Sequence, residues 1–171
     1  LSGGSIEKAA KLYHETFPNE KVTALIDYNN DVVTDSLALA KIMGHDLGAV
    51  RVDTSSSLID HYFDDKDTSG FDPHGVCKEL IFALRKALDD NGFDWVKIIV
   101  SSGFTAKKIK EWTALGVPVD TYGVGTSLVN NTIVGFTGDL VELDGKPQAK
   151  EGRKEIPSSR LKKVPYPIVV K

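Results

Sequence analysis

The chain holds one cysteine, Cys77, and one methionine, Met43, among 171 residues. A single thiol makes no internal disulfide, which excludes a cross-linked secreted scaffold and points to the cytoplasm. Aromatic residues are scarce at 8%, and Lys+Arg against Asp+Glu stand at 21 to 24. That balance, with a formal net charge of -3, leaves no excess of positive charge for a dedicated nucleic-acid face. No apolar run approaches the roughly 20 residues that a membrane-spanning helix requires. The chain opens on Leu1-Ser2-Gly3-Gly4-Ser5, without an initiator Met, an apolar signal core or a basic targeting arm, so the expectation is a processed or recombinant piece of something longer. No internal repeat and no low-complexity tract is present. What is there, 41% hydrophobic and 26% charged residues, is enough for one compact domain.

Periodicity supplies the next layer. Ile6, Ala9, Ala10, Tyr13 and Phe17 recur at three- and four-residue spacing, which predicts a helix from Ser5 to Phe17 capped by Ser5 and followed by Pro18. Val22 to Ile26, closed by Asp27, reads as a strand buried on both faces. After the polar loop Tyr28 to Asp31, Ser36 to Met43 reads as a helix stopped by Gly44. The order then repeats: strand Gly48 to Asp53, helix Gly75 to Asp90, strand Val96 to Val100, helix Ala106 to Leu115, and a brief strand Val117 to Asp120. Between Tyr62 and Pro73 the chain is polar and predicts a long surface excursion. Strand and helix in alternation imply a parallel α/β fold, and four such units are about half of a closed (β/α)₈ barrel, for which about 250 residues is typical. Residues 1–130 are therefore assigned to part of an α/β barrel. Residues 131–171, with Asp144-Gly145 as a turn signal, are assigned to short antiparallel strands and an exposed basic tail that would pack on an N-terminal domain.

In parallel α/β folds ligands bind beyond the C-terminal ends of the strands, and here four strand ends carry hydrophilic groups. Asp27 is followed by Asn29, Asn30 and Asp31; Arg51 is followed by Asp53 and Thr54; Ser101-Ser102-Gly103 closes the third strand; and Asp120 leads into Gly123-Val124-Gly125-Thr126. The two glycines free backbone N–H groups to face an anion, and the hydroxyls of Thr126 and Ser127 add donors, so the loop reads as a phosphate cradle or as a plain tight turn. Arg51 and Asp53 lie two apart and share a strand face, either as a structural ion pair or as an anion clamp with a sugar-hydroxyl acceptor. Asp27 and Asp53, with Asp31, are candidate Mg²⁺ ligands alongside a polyphosphate, and Asp31 serves equally as a helix cap. The four histidines, His14, His45, His61 and His74, are placed for surface or packing roles. Cys77 reads as a small core residue, and the basic run from Lys146 to Lys163 as a solvated face that reaches a neighbouring site only in an anion-handling protein.

Taken together, four motifs in order resemble nicotinate phosphoribosyltransferase. They are Thr23 to Ala38 with Asp27-Tyr28-Asn29-Asn30-Asp31 inside it, Val50-Arg51-Val52-Asp53-Thr54-Ser55, Ile99-Val100-Ser101-Ser102-Gly103-Phe104, and Val117 to Ser127 with Gly123-Val124-Gly125-Thr126. Phe136 to Val141 and Asp144 to Arg153 extend the resemblance over nearly the whole chain, on the C-terminal half of that enzyme. The resemblance implies a type II phosphoribosyltransferase fold, an irregular TIM-like barrel. It also implies the reaction of nicotinate with phosphoribosyl pyrophosphate to give nicotinate mononucleotide and pyrophosphate in NAD biosynthesis, with Mg²⁺ and coupled ATP hydrolysis, in a homodimer or higher homo-oligomer. Ser102, Gly103, Gly123, Gly125 and Thr126 are implied to hold the 5′-phosphate, Arg51 and Asp53 to lie beside the ribose and pyrophosphate, and Asp27 to lie near the ribose or metal. Ser102 stands where many relatives have Gly. The histidine that ATP phosphorylates in the family, and much of the nicotinate pocket, are expected to precede Leu1, so the 171 residues alone are expected not to turn over. Nicotinamide or quinolinate phosphoribosyltransferase, and a non-catalytic phosphate-binding module, are the alternatives.

Overall fold

Val22, Ala24 and Ile26 are buried while Thr23 and Leu25 between them are exposed. Side chains alternate across a strand, so only one face of this segment is covered. In the computed structural model, which describes residues 3–129 and 138–160, the segment forms β1 (Val22–Leu25), followed by β2 (Leu47–Val52), β3 (Lys97–Val100) and β4 (Thr121–Tyr122). The four strands pair in parallel in sequential order. Helix α1 (Ile6–Thr16) precedes β1, and α2 (Val32–Met43), α3 (Lys78–Asp90) and α4 (Ala106–Ala114) make the three crossovers. Both-face burial of β1 is thus corrected: Leu25 keeps 43% of its surface exposed because the helices cover the opposite face.

The core lies between that covered face and the helices. Ile26, Val50, Val52, Ile98 and Val100 of the sheet meet Leu39 of α2 and Leu80, Ile81, Leu84 and Leu88 of α3, all fully shielded. Each such side chain contributes about 1.5–3 kcal/mol by leaving water. The three- and four-residue spacing that predicts α3 is the stripe that packs. Arg85 ties the end of α3 to β3, donating to the carbonyls of Val96 at 2.7 Å and Phe93 at 3.2 Å.

Most boundaries shift from the sequence reading by at most one residue, and three differ by more. Helix α2 begins at Val32 rather than Ser36, because the Asp31 carboxylate caps it by accepting from the Thr34 N–H at 3.3 Å. Strand β4 is Thr121–Tyr122, not Val117 to Asp120, and Asp120 stands before it, accepting from the Ile98 N–H at 2.8 Å. Cys77 is buried in the loop end that leads into α3 rather than within the helix. The excursion also returns to the core: Phe63 is buried, and Phe71 packs against it with ring centroids 5.5 Å apart. Its anchor is Asp60, fully buried, which accepts from the Val32 N–H at 3.1 Å and the Tyr62 N–H at 2.9 Å. Asn30 completes this anchor, donating to the Ile59 carbonyl at 2.7 Å and accepting from the His61 N–H at 2.8 Å.

Further along, β5 (Glu142–Leu143) and β6 (Lys146–Pro147) form an antiparallel hairpin whose two turn residues, Asp144 and Gly145, both have positive φ (51° and 73°). A two-residue hairpin turn demands that geometry. Phe136, Thr137 and the basic tail after Arg160 lie outside the described residues. Among those described, no helix is long and apolar enough to cross a membrane.

Two carboxyl groups make stability depend on pH. Burial pushes Asp35 and Asp60 up to about 6, against the hydrogen bonds from Asn29 to Asp35 and from the Tyr62 and Val32 N–H groups to Asp60. A raised folded-state value means that the folded chain holds these protons better than the unfolded chain. Their contribution is therefore full below about pH 4 and lost as pH rises through about 6. Urea unfolding of the wild type and Asp35→Asn across this window should show the wild type losing stability relative to the variant; a constant difference between the two would contradict the assignment.

Candidate functional site

The parallel register carries the strand ends into one row. Leu25 pairs with Arg51, Arg51 with Ile99, and Ile99 with Thr121, all on the sheet face opposite the helices. The ladder continues past the strands through Ile26 N–H to Arg51 O (3.2 Å), Ser101 N–H to Val52 O (2.9 Å) and Gly123 N–H to Val100 O (2.7 Å). Two residues further on, the same face therefore presents Asp27, Asp53, Ser101 and Gly123 side by side. Adjacent strands lie about 4.8 Å apart, so this row spans about 14 Å. Each position is set by strand pairing, which places hydrophilic groups on a rigid frame.

Arg51 and Asp53 meet at 4.0 Å with side chains 44% and 34% exposed. At that distance and exposure the pair contributes about 0–1 kcal/mol. The desolvation argument for a structural ion pair therefore does not apply: both residues point to the open face, and among the described residues the guanidinium keeps donors for an anion. Asp27 is the opposite case, with a side chain only 3% exposed and Lys150 Nζ at 2.5 Å from Oδ2. Lys150 lies in the basic run that the sequence reads as a solvated face, and no periodicity or spacing marks it out. Its role emerges only when the hairpin folds back across the end of β1.

Beyond β3, Ser102 and Gly103 both adopt positive φ (76° and 74°), so two successive residues turn the backbone in the left-handed sense. Glycine does this freely; serine is strained there. Below the turn Phe104 is buried, edge-on to Trp112 at 4.9 Å and beside Tyr122 at 5.3 Å, and the Lys108 ammonium lies 4.4 Å from its ring. Burial lowers the pKa of Lys108, whose ammonium also donates to the Val76 carbonyl at 3.3 Å. This aromatic anchor, missed in the sequence because Phe104 carries no chemistry of its own, fixes the turn between β3 and α4.

The Gly123 to Thr126 loop lies next to it. A Cβ on Gly123 would stand 3.1 Å from the Ser101 Cβ, so its smallness follows from the crowded row. Gly125 differs: its φ is not in the left-handed region, and a Cβ there meets nothing within 4 Å among the described residues. Neither conformation nor packing among the described residues requires glycine at that position. Thr126 is exposed, whereas the Ser127 hydroxyl is already committed to the Phe104 carbonyl at 3.0 Å and ties the two loops together. Ser127 is thus a staple rather than the anion donor expected of it.

For a divalent cation the donors are thin. Asp31 is used as a cap and Asp27 is paired with Lys150, and among the described residues no group of three His, Cys, Asp or Glu side chains converges. The set suits an Mg²⁺ ion that keeps waters and substrate oxygens and takes Asp53 from the protein, but not a cage of protein ligands. None of the four histidines joins the row: His14 pairs with Asp46, His45 stacks on Trp95, His61 pairs with Asp64 and His74 with Asp72.

With this arrangement in view, the comparisons with known proteins are specific. The chain has the α/β fold of the phosphoribosyltransferase type: it aligns with the crystal structure of nicotinate-nucleotide pyrophosphorylase from Pyrococcus furiosus at 34% identity and a TM-score of 0.59, over 88% of this chain and 34% of that one. Its curated relatives are nicotinate phosphoribosyltransferases, as the four motifs imply. It is 32% identical over 142 residues to nicotinate phosphoribosyltransferase pncB1 of Mycobacterium tuberculosis and 29% identical over 153 residues to pncB2 of the same organism, covering 81% and 85% of this chain. The chain spans 27% of the length of each of these relatives. No protein-family model matches it.

The strained serine gives a direct test. Ser102→Gly should raise thermal stability by about 1 kcal/mol, because it removes a side chain held at left-handed φ. A loss of stability on this change would show that the Ser102 side chain makes contacts that outweigh the strain.

Proposed function

We propose that the chain forms the phosphate- and ribose-binding part of a nicotinate phosphoribosyltransferase, a cytoplasmic enzyme of NAD biosynthesis. It joins nicotinate to phosphoribosyl pyrophosphate, giving nicotinate mononucleotide and pyrophosphate with ATP hydrolysis. The observation that carries this reading is the in-register row, a chain of hydrophilic strand ends terminating in two adjacent loops whose Gly125 is explained by neither backbone conformation nor packing among the described residues. Close approach of a bound group to the backbone is a physical reason for a bare Cα there.

On this reading Ser102, Gly103, Gly123, Gly125 and Thr126 hold the 5′-phosphate through backbone N–H groups and hydroxyls. Arg51, on the open face beside Asp53, takes the diphosphate, and Asp53 accepts from a ribose hydroxyl. Asp27 lies at the far end of the row. Attack of the nicotinate nitrogen at C1 expels pyrophosphate while positive charge grows on the ribosyl carbon. The work of the protein is to position the reactants and to stabilise that charge, for which the carboxylates of Asp53 and Asp27 are placed. Mg²⁺, held by Asp53 and substrate oxygens, would neutralise the departing diphosphate. Since the four histidines stand apart from the row, the phosphoryl group of ATP is received elsewhere in the whole protein, where the base pocket also lies, and assembly into a homodimer or higher oligomer completes the enzyme. The relatives' names all concern nicotinate or its nucleotide, which favours nicotinate over nicotinamide as the base.

Two measurements test this. Calorimetry with phosphoribosyl pyrophosphate and with nicotinate mononucleotide should show binding to the wild type and a loss of about 2 kcal/mol or more in Gly125→Val, where side-chain bulk fills the anion's place; equal affinity in the variant rules out the phosphate assignment. The purified 171-residue chain should bind without turnover. Steady formation of nicotinate mononucleotide would refute the division of labour, and failure to bind either ligand would favour neither the enzyme nor a phosphate-binding module.

A further inference from the structure

The segment from Gln148 to Gly152 is tied to the residues that follow β1 at three positions. Gln148 Nε2 donates to the Tyr28 hydroxyl at 2.6 Å, Lys150 Nζ to Asp27 Oδ2 at 2.5 Å, and the Glu151 N–H to the Tyr28 carbonyl at 2.9 Å. At Gly152, with φ of 77°, a Cβ would stand 2.9 Å from Leu58 Cδ2, so the strap also seats closely on the loop after β2. On the other side, a Cβ on Gly4 would meet Gln148 Nε2 and the Tyr28 hydroxyl, both at 2.9 Å. The strap is thus fitted between the chain start and the strand-end loops.

Asp27 is the acid of the row least open to solvent, and a buried carboxylate is costly unless a cation meets it. Lys150 supplies that cation and occupies Oδ2; among the described residues no hydrogen bond reaches Oδ1. The bond therefore fixes the direction in which the second oxygen of the carboxylate is presented. Lys150 keeps only 25% of its side-chain surface exposed, and its ammonium is used on Asp27 rather than offered to solvent.

We propose that Lys150 is a positioning residue, acting through Asp27: the ion pair orients Asp27 so that its other oxygen serves the ribosyl end of the ligand. This rests on the phosphoribosyl reading above. It differs from direct capture of the ligand's anion by Lys150, because a residue that works through Asp27 has nothing to add once the Asp27 charge is gone.

The test is calorimetry with phosphoribosyl pyrophosphate and Mg²⁺ on the wild type, Lys150→Met, Lys150→Arg, Asp27→Asn and the double variant Asp27→Asn/Lys150→Met, each with a thermal unfolding curve. Lys150→Met and Asp27→Asn should each weaken binding about tenfold or more, and the double variant should bind within about twofold of the weaker single variant. Lys150→Arg should stay within about threefold of the wild type, since a guanidinium also pairs with a carboxylate. The double variant should unfold at a higher temperature than Lys150→Met, which alone leaves a buried charge unpaired. If Lys150→Met does not fold, the double variant and Lys150→Arg still decide the matter. Losses that multiply in the double variant, or unchanged affinity in Lys150→Met, overturn the proposal while the phosphoribosyl reading stands. A wild type that does not bind overturns that reading and this inference with it.

Discussion

The parallel register of four short strands is the constraint on which the rest depends. Strand pairing aligns residues that are 26 to 96 positions apart in sequence, Asp27 with Asp53, Ser101 and Gly123, through a hydrogen-bond ladder that outlasts the strands themselves. Backbone amides and carbonyls admit little slippage when one face is buried, because a shift of one residue would turn Ile26, Val50, Val52, Ile98 and Val100 away from the core. The hydrophobic core thus sets the geometry of the polar row without touching it. A site built this way is held by the whole domain.

Much of this was legible in the sequence. The stripe of Leu80, Ile81, Leu84 and Leu88 announces α3, and the apolar runs ended by Asp27, Asp53 and Ser101 announce strands with hydrophilic ends. Where reading failed, tertiary structure had overridden local pattern. The apolar composition of β1 suggests burial on both faces, yet exposure of Thr23 and Leu25 depends on where the helices sit, which composition does not encode. The start of α2 was hidden because a cap such as Asp31 resembles any loop aspartate until the Thr34 N–H is aimed at it. Lys150 was hidden more deeply: its partner lies 123 residues earlier in the chain, and a lysine in a basic run carries no local sign of burial.

The two ends of the row are built on different physics. At β3 and β4 the protein offers backbone, kept bare at Gly103 and Gly125 and anchored from below by Phe104, Trp112 and Tyr122. Such a cradle carries no charge of its own, so it suits a phosphate whose position must be fixed. At β1 and β2 the protein offers charge, with Arg51 and Asp53 loosely paired and open, and Asp27 tightly paired and covered. A ligand with a phosphate at one end and a charged reacting centre at the other matches this polarity. The strain at Ser102 belongs to the first end, where the backbone turns in the left-handed sense at a cost that glycine would not incur.

The central claim is that the loops after β3 and β4 jointly hold a phosphate. Amide chemical shifts of the chain, followed by two-dimensional NMR during titration with ribose 5-phosphate, report on that claim residue by residue. The account predicts saturable shifts concentrated at Ser102, Gly103 and Gly123 to Thr126, with the α1 amides unmoved. Shifts confined to α1 and β1, or no saturable shift at either glycine loop, would contradict it.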